Sequence, residues 1–556
     1  MPGARLFLIG FSGAGKSAVG RRATALLGWE FADTDEAIVK ADGRPIPRIF
    51  AEEGEAGFRR REQEALRGML DRERVVVSTG GGLPLDAENR RLMESAGVVV
   101  ALEARPETIE ARLAAVPPDN ARAEGMARPM LRPGQGESAV ERIAALKRER
   151  QWAYALAAWT IQTDALSIEQ AAHEAARAWR RLGAAALHGG DSHVAAVVVG
   201  GEAAYPIVVG WDFLEAQAGQ RFIGAGLRGR AYLICDQNVL HPYGRLVQRS
   251  LTAAGVEAHL FTFPPGEESK SLSMAARVYE WLAEMRAERR DAIVAVGGGV
   301  AGDLAGFAAA TYLRGMPVFH IPTTLTAMVD SSIGGKTAVD LGAGKNLVGA
   351  FHQPALVLAD VSALTTLPPR ELREGWAEAL KHGLALDADL VEVYESQADM
   401  LLALEPELTT EVVARNAAVK ARIVTQDERE TGGVRTLLNY GHTIGHGIEA
   451  ASGYGRYLHG EAVAIGMTGA ARIGAAHGVT PPDVVERQQV LLERFGLPST
   501  YDALDPAAIL EAMTRDKKVS AGAVSWVLLD GVGSASIHRD VDVEMVREVV
   551  EGLRAG

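Results

Sequence analysis

Short apolar runs alternate with longer amphipathic stretches through most of the chain. Residues 6–9, 75–77 and 98–102 are continuous hydrophobic segments bounded by glycine or polar residues, a pattern typical of strands buried on both faces. Similar runs return at residues 194–199 and 205–209. Because strands that alternate with helices favour parallel sheets covered by helices, we expect an α/β fold.

Two changes in this pattern divide the chain. A helical stretch rich in Ala and Arg at residues 172–190 ends in a Gly/Ala/Ser/His patch, which has the composition of a linker. Near residues 364–371 the pattern changes again, and beyond it helices prevail with few strand-like runs. We therefore predict a first domain at 1–182, a linker at 183–193, an α/β domain at 194–364 and a mostly helical domain at 365–556, since 556 residues are too many for one core.

Composition excludes several functional classes. With 58 Lys+Arg against 71 Asp+Glu the net charge is −13, which argues against nucleic acid as a partner. No apolar run reaches the roughly 18 residues that cross a bilayer, and the first residues lack a signal-peptide pattern. Cys235 is the single cysteine, so no disulfide can form within the chain. We expect a cytoplasmic protein that acts on small molecules, with no membrane partner.

A complete P-loop spelling follows the first predicted strand. Residues 10–17 read Gly-Phe-Ser-Gly-Ala-Gly-Lys-Ser and lead into a predicted helix, Lys16–Leu27. In this context the turn amides and the helix N-terminus converge on phosphate oxygens. Lys16 would reach the β- and γ-phosphates and Ser17 would hold Mg²⁺. A glycine turn that binds nothing is the alternative, but all four fixed positions and both flanks are present. The predicted ATP contacts are Gly13, Ala14, Gly15, Lys16, Ser17 and Ala18.

The residues after the P-loop point to the phosphate acceptor. Residues 31–35 follow a predicted strand, and residues 49–55, Phe58-Arg59, Glu62 and 77–82 complete the pattern. Together with the P-loop, these segments resemble shikimate kinase over roughly residues 1–180. The resemblance implies that the hydroxyls and carboxylate of shikimate bind Asp35, Arg59, Gly81 and Arg150, that Arg128 closes over ATP, and that Asp33 holds Mg²⁺ through water. Ala18 stands where the family has Thr, which removes one nucleotide contact.

The chemistry of these side chains agrees with those roles. A guanidinium fork binds both oxygens of a planar carboxylate, which a lysine cannot do. Asp35 can accept the proton of a hydroxyl while orienting that oxygen towards the γ-phosphate, so it is the predicted catalytic residue beside Lys16. The alternative for Arg59 and Glu62 is an exposed ion pair on a helix.

A candidate metal site is indicated far along the chain. His442 and His446 lie four residues apart, so a helix would place both imidazoles on one face. Thr443 occupies the position where the zinc-protease motif has its catalytic Glu, so the motif is a different one. His459 and Glu378 could complete a three-ligand open metal site that polarises substrate oxygens. A helix face without a metal is the alternative.

The segment upstream of these histidines carries the signals of a dinucleotide site. A predicted strand at 291–296 runs into the glycine-rich residues 297–302, a fingerprint that is weak alone. The next strand, near 318–321, lacks the acidic residue that binds ribose in an ordinary Rossmann unit. Asp236, at the end of the predicted strand 232–235, could take that role.

From about residue 195 to its end the chain resembles 3-dehydroquinate synthase. The matching segments are residues 236–238, 266–270, 297–303, 323–324, 330–336 and 345–346, with Glu378, Lys381 and the histidine block. The resemblance implies an NAD⁺ site formed by Asp236, Asn238, Gly266, Glu267, Lys270, Gly299, Val300, Ala301, Gly302, Asp303, Thr323, Thr324, Lys336, Lys345, Thr365 and Thr366.

The resemblance also implies the metal and substrate sites. Zn²⁺ or Co²⁺ would be held by Glu378, His442 and His459, with His446 as a catalytic residue and not a ligand. The carboxylate and phosphate of the substrate would bind Lys336, Lys345, Asn346, Lys381, Lys420, Arg435, Asn439 and Lys517 or Lys518. A homodimer formed through this half of the chain is expected.

The implied reaction turns 3-deoxy-D-arabino-heptulosonate 7-phosphate into 3-dehydroquinate and phosphate. Oxidation by NAD⁺ precedes phosphate elimination, and the ketone is then reduced again, so NAD is regenerated in each turnover. Another sugar-phosphate cyclase, or a metal-dependent polyol dehydrogenase, is the alternative, and a dehydrogenase would accumulate NADH. A degenerate half kept as a scaffold is a further alternative, against which the intact Lys16, Asp35, Glu378 and His442 argue.

Overall fold

The computed structural model describes residues 5–115, 138–155, 157, 159–164, 166–186, 193–199, 203–226, 228–342, 344–430, 433–453, 455–515, 519–520 and 523–555. Contacts within the chain divide it into two compact units, Met1–Pro206 and Ile207–Gly556. Four predicted features lie outside the described residues: most of the linker (187–192), Arg128, Lys517 and Lys518.

The first unit is built on a parallel sheet of five strands in the order β2-β3-β1-β4-β5. The strands are β1 (Arg5–Ile9), β2 (Glu30–Asp33), β3 (Val75–Ser78), β4 (Val98–Glu103) and β5 (Trp159–Gln162). The described helices are α1 (Lys16–Leu27), α2 (Thr34–Asp42), α3 (Ile46–Leu70), α4 (Ala87–Ala96), α5 (Pro106–Ala114), α6 (Ala139–Ala155) and α7 (Ile168–Ala186). The predicted strands at 6–9, 75–77 and 98–102 and the helix at Lys16–Leu27 are confirmed.

One boundary in this unit differs from the prediction. Phe31, Ala32 and Asp33 do not follow a strand but lie within β2, and Asp33 caps α2. The strand was missed because β2 is an edge strand that begins with the exposed Glu30. Its hydrophobic signal is therefore shorter than that of the central strands.

A seven-stranded sheet comes next along the chain, in the order β6-β7-β14-β11-β10-β8-β9. Its strands are β6 (His193–Val199), β7 (Ala203–Gly210), β8 (Ala231–Asp236), β9 (Ala258–Phe263), β10 (Ala292–Gly297), β11 (Val318–Pro322) and β14 (Leu356–Asp360). The pairs from β7 through β9 are parallel. Around it lie α8 (Leu214–Gly224), α9 (Arg245–Ala253), α10 (Leu272–Glu284), α11 (Gly299–Thr311) and the ribbon of β12 (Lys336–Leu341) with β13 (Gly344–Phe351).

Helices make up most of the remainder, as predicted. They are α12 (Pro369–Leu386), α13 (Ala388–Leu402), α14 (Pro406–Gln426), α15 (His442–Ala451), α16 (His459–Ala476), α17 (Pro482–Arg494), α18 (Pro506–Arg515) and α19 (Val543–Gly552). Two antiparallel ribbons interrupt them: β15 (Val519–Ser520) with β16 (Ala523–Val524), and β17 (Trp526–Gly531) with β18 (Ser534–His538). Within the described ranges, no helix combines the length and the hydropathy that crossing a membrane requires.

Candidate active sites

The P-loop forms a cradle between β1 and α1. Gly13 and Gly15 have positive φ values of 88° and 104°, a conformation that favours glycine. Lys16 is buried, and its Nζ donates to the carbonyl oxygens of Gly10 at 2.7 Å and Phe11 at 3.0 Å. The ammonium group therefore lies against the carbonyl oxygens of the loop, within the cradle that a P-loop forms for phosphate.

Oxygen atoms that suit a hard cation gather beside the cradle. The Ser17 hydroxyl donates to Asp33 Oδ2 at 2.8 Å and lies 3.2 Å from Ser78 Oγ. The other oxygen of Asp33 accepts from the backbone N–H of Asp35 at 3.0 Å, so this carboxylate also starts α2. Hydroxyl and carboxylate oxygens are ligands that Mg²⁺ accepts. The sequence assigned no role to Ser78; its place at the carboxyl end of β3, next to β1, is the signal that could have found it.

Arg59 lies over the glycines that follow β3. Its guanidinium donates to Glu62 at 2.5 Å and to Glu55 at 2.7 Å, and a Cβ added at Gly82 would lie 2.0 Å from Arg59 Nη1. Glu62 is 1% exposed, so the exposed ion pair considered as the alternative is wrong. Burial raises the pKa of Glu62 to about 7, although Arg59 acts in the opposite direction.

The other residues predicted to bind the phosphate acceptor lie near the P-loop and the glycines after β3. The Tyr154 hydroxyl donates to the Gly81 carbonyl at 2.5 Å, and a Cβ at Gly81 would lie 3.6 Å from Ser12 N in the P-loop. The Arg150 guanidinium lies 5.9 Å from the centroid of the Phe11 ring. Asp35, in the first turn of α2, is close to Gly80, since an added Cβ there would lie 2.8 Å from Asp35 Oδ1. Their roles in binding stay predictions.

The second unit brings together Glu378, His442 and His459. One ligand atom from each residue lies within 4.8 Å of the others, and Glu378 Oε1 is 3.4 Å from Nε2 of both His442 and His459. This oxygen is fully buried and accepts no other hydrogen bond in the described part of the chain. Two imidazole nitrogens facing a buried carboxylate oxygen are a donor set that suits Zn²⁺ or Co²⁺.

His446 lies next to this set, with one ring nitrogen within 4.8 Å of ligand atoms of Glu449 and His459. Its ring centroid is 5.3 Å from that of His442 and 6.2 Å from that of His459. Both His442 and His446 are on α15, as their spacing predicted. Glu449, which the sequence did not single out, lies 3.0 Å from His459 Nδ1. Its position on α15, seven residues after His442 and three after His446, is the signal that could have found it.

Buried cations surround the carboxylate and histidines. Lys381 pairs with Glu378, and Lys420 pairs with Asp330. Burial lowers the pKa of Lys420 to about 8, while Asp330 acts to raise it. Arg435 is 2% exposed and donates to the carbonyl oxygens of Glu428 at 2.5 Å and Gly334 at 3.3 Å. Three buried cations gathered near the histidines suit an anionic substrate.

One acidic residue missed by the sequence contacts two predicted substrate ligands. Glu430 pairs with Lys336, and its other oxygen accepts from Asn439 Nδ2 at 3.4 Å. Glu430 has a positive φ of 59°, which holds its side chain in a turn after α14. No hydrophobic pattern marks such a residue.

The predicted dinucleotide contacts lie at the carboxyl edge of the second sheet. β10 lies between β8 and β11; Asp236 and Gly297 end β8 and β10, and Thr323 follows β11. Asp236 Oδ1 accepts from the backbone N–H of Asn238 at 2.8 Å, and burial raises the pKa of this carboxyl. A Cβ at Gly298 would lie 3.0 Å from Thr324 Cγ2. The backbone at Gly298 therefore passes close to Thr324 and leaves no room for a side chain. A bare backbone of this kind allows a pyrophosphate to approach closely.

Charged pairs join this edge to the histidines. Lys270 is buried and lies 2.5 Å from both Asp303 Oδ2 and Asn346 Oδ1; burial raises the pKa of Asp303 to about 6, against the effect of Lys270. Lys345 lies 3.4 Å from Glu267 and 3.3 Å from Glu449.

Gly299, Val300, Ala301 and Gly302 form the first turn of α11. Thr365 and Thr366 lie in a short 3₁₀ helix, where Thr366 Oγ1 is 3.1 Å from the Tyr243 hydroxyl. Gly266 precedes Glu267 with a positive φ of 108°.

Family models match three segments of the chain. Shikimate kinase matches residues 12–180, 3-dehydroquinate synthase N-terminal matches residues 260–374, and 3-dehydroquinate synthase C-terminal matches residues 375–519. The 3-dehydroquinate synthase of Symbiobacterium thermophilum is 46% identical over 362 residues, which cover 64% of this chain and 99% of that relative.

Two solved structures resemble the second half. A 2-epi-5-epi-valiolone synthase from Streptomyces hygroscopicus subsp. jinggangensis, with NAD⁺ and Zn²⁺ bound, is 29% identical with a TM-score of 0.59, over 63% of this chain and 97% of that one. A 2-deoxy-scyllo-inosose synthase, complexed with carbaglucose-6-phosphate, NAD⁺ and Co²⁺, is 29% identical with a TM-score of 0.58, over 65% of this chain and 99% of that one.

Proposed function

We propose residue roles for two reactions, on the premise that this chain belongs to the 3-dehydroquinate synthase family and carries a shikimate kinase domain. The chain is a bifunctional enzyme of aromatic amino acid biosynthesis. It phosphorylates shikimate with ATP, and it converts 3-deoxy-D-arabino-heptulosonate 7-phosphate into 3-dehydroquinate and phosphate. The 46% identity to a 3-dehydroquinate synthase, against 29% to other cyclases, favours this cyclisation over the related ones.

The observation that carries the cyclase assignment is the set of Glu378, His442 and His459. With Glu378 Oε1 3.4 Å from each imidazole, the set would hold Zn²⁺ or Co²⁺. NAD⁺ would lie along the carboxyl ends of β8, β10 and β11, against the loop at Gly298. When bound, the metal polarises a substrate hydroxyl, and NAD⁺ takes up a hydride and returns it.

The chain's own side chains bind and orient the anionic substrate. The proposed ligands of its carboxylate and phosphate are Lys336, Lys345, Asn346, Lys381, Lys420, Arg435 and Asn439. Lys420 suits proton transfer as well as binding, since its pKa is lowered to about 8 by burial. His446 lies 5.3 Å from His442 between ring centroids, close enough to move a proton at the substrate. Glu449 is a positioning residue, because its carboxylate contacts Nδ1 of His459 and so orients Nε2 of that ring towards Glu378.

In the kinase domain the proposed roles follow from the geometry of the P-loop cradle. Lys16 moves from the loop carbonyls to the β- and γ-phosphates when ATP binds, and Ser17 with Asp33 holds Mg²⁺, which neutralises phosphate charge. Arg59 and Arg150 bind the shikimate carboxylate beside Gly81. Asp35 takes the hydroxyl proton as the acceptor oxygen attacks.

Three broader features also belong to the proposal. The domain limits are 1–182, 194–364 and 365–556 with a linker between the first two, and the location is the cytoplasm. The second unit forms a homodimer, which is supported by the partly exposed Leu341, Leu347 and Phe351 on the β12–β13 ribbon. Exposed apolar side chains grouped on one ribbon are typical of a protein interface.

Metal content and NADH absorbance together test the cyclase assignment. In the full-length chain, His442→Ala should lose the ion held beside Glu378 and the activity, whereas His446→Ala should keep that ion and lose turnover. A chelator should remove cyclisation, and Zn²⁺ or Co²⁺ should restore it, with phosphate released and no net NADH. NADH accumulating in step with product would contradict the cyclase, and an undiminished metal content in His442→Ala would contradict the ligand set.

A further inference from the structure

A third group of metal-binding side chains lies outside both sites. One ligand atom each from His477, His538 and Asp540 lies within 4.8 Å of the others. His477 follows the last residue of α16, and His459 is the first residue of this 18-residue helix. At 1.5 Å per residue the two ends are about 27 Å apart, so this group is separate from the Glu378 set.

Neighbouring hydrogen bonds leave one nitrogen of His538 available. Ser536 donates its single hydroxyl proton to Asp530 Oδ1 at 2.5 Å, so its contact with His538 Nε2 at 2.8 Å requires the imidazole to donate. Neutral His538 is therefore protonated on Nε2 and carries its lone pair on Nδ1. Such a chain from carboxylate through a second group to an imidazole is how proteins orient histidine ligands.

The position also favours a cation. His477 caps the carboxyl end of α16, where the helix dipole is negative. His477 Nε2 is 3.6 Å from Asp540 Oδ1, and the side chain of Asp540 is 81% exposed, so an ion can enter from solvent. In the described ranges, Asp540 has no ion pair with a lysine or arginine, and the adjacent Arg539 donates to Ser525 at 3.3 Å.

We propose that His477, His538 and Asp540 form a second site for a divalent transition metal such as Zn²⁺ or Co²⁺. Two imidazoles and one carboxylate form a donor set for these ions, with water completing the coordination. The ion would join the end of β18 to the carboxyl end of α16. It therefore acts as a structural clip, and it takes no part in either reaction.

The number of Co²⁺ ions bound per full-length chain tests this site. Equilibrium dialysis against Co²⁺ should give two ions per wild-type chain and one in Asp540→Asn, whose exposed side chain can be changed without disturbing the core. His477→Gln should also give one. His442→Ala should keep the second ion and lose the first, and the double variant His442→Ala/Asp540→Asn should bind none. His173→Gln, a change of an exposed histidine in the first unit, should still bind two.

Two further measurements distinguish the proposed structural ion from the catalytic metal. Asp540→Asn should retain cyclase activity, and the second equivalent of Co²⁺ should raise the melting temperature of the wild type but not of this variant. Saturation of the wild type at one ion, or two ions in both Asp540→Asn and His477→Gln, would overturn the proposal.

Discussion

Single side chains decide which anion each site selects. Arg59 and Arg150 lie beside the P-loop with Gly81 between the loop and Tyr154. A guanidinium offers two parallel N–H groups to a carboxylate, whereas an ammonium offers a point charge. At the second site the cations are mainly lysines, such as Lys381 and Lys420, which suit a phosphate as point charges.

Arg59→Lys and Arg150→Lys should therefore weaken shikimate binding selectively. We expect KM for shikimate to rise about 10- to 100-fold, since a charge-assisted hydrogen bond contributes about 1.5–3 kcal/mol, with KM for ATP nearly unchanged. Arg60→Lys, a change in the exposed neighbour, is the matched control and should alter neither constant. An effect confined to ATP would move these arginines to the nucleotide side.

Glu62 makes the stability of the kinase unit depend on pH. Its pKa is raised from 4.5 to about 7 by burial, so the folded state binds more protons than the unfolded state between these values. The stabilisation is complete below pH 4.5 and is lost as the pH rises through about 7. At 1.36 kcal/mol per pH unit this amounts to about 3 kcal/mol.

Glu62→Gln, which cannot ionise, should not lose this stability. Hydrogen exchange of the β1 amides, compared between variant and wild type at each pH from 5 to 8, should show the variant increasingly more protected as pH rises. Glu64→Gln, in the exposed residue two positions on, should follow the wild type. A constant difference between Glu62→Gln and wild type across this range would show that Glu62 does not titrate there.

At the scale of elements, turns after parallel strands form the P-loop cradle and part of the proposed dinucleotide site. The β1–α1 turn holds Lys16, and the β10–α11 turn brings Gly298 against Thr324. In the proposed roles, the backbone N–H groups at the helix N-terminus of each turn bind phosphate groups. In the proposed roles, side chains from other elements, such as Arg59 on α3 and Glu378 on α12, then determine what else binds.

Adding one methyl group to the second turn should weaken NAD⁺ binding. Gly298→Ala places a Cβ 3.0 Å from Thr324 Cγ2, so the loop or Thr324 must move. Overpacking of about 1–3 kcal/mol corresponds to a roughly 5- to 150-fold higher Kd for NAD⁺, which calorimetry on the full-length chain would measure. Gly224→Ala has no atom within 4 Å of its added Cβ and should bind NAD⁺ normally. Unchanged affinity in Gly298→Ala would place the dinucleotide elsewhere.

Elements with a strong hydrophobic signal could be predicted from the sequence. The central strands β1, β3 and β4 are buried on both faces, and their positions follow from the apolar runs. The sequence missed the edge strand β2, which begins with an exposed residue, and the short ribbons β15–β18, although β17 carries a buried apolar run. Within the sites, the motifs led to Lys16, Glu378 and His442, whereas Glu449 and Glu430, which contact His459 and Lys336, were missed. The spacing of Glu449 on α15 was a local signal for it, but the contact of Glu430 depends on tertiary packing, which no local pattern encodes.

At the scale of the whole molecule, each of the two compact units contains its own candidate site. The P-loop residues and Arg59 belong to Met1–Pro206, while the histidines and the dinucleotide edge belong to Ile207–Gly556. The residues proposed for the two reactions do not overlap, and the products of the reactions are different compounds. Each reaction should therefore proceed when the other is blocked.

Both reaction rates, measured on one preparation of full-length Lys16→Ala, test this account most directly. Removing the ammonium from the phosphate cradle should lower shikimate phosphorylation by about 10²-fold or more. Phosphate release from 3-deoxy-D-arabino-heptulosonate 7-phosphate should stay at the wild-type rate, without accumulation of NADH. Loss of both activities in a folded Lys16→Ala chain would contradict the claim that the polypeptide carries two independent catalytic sites.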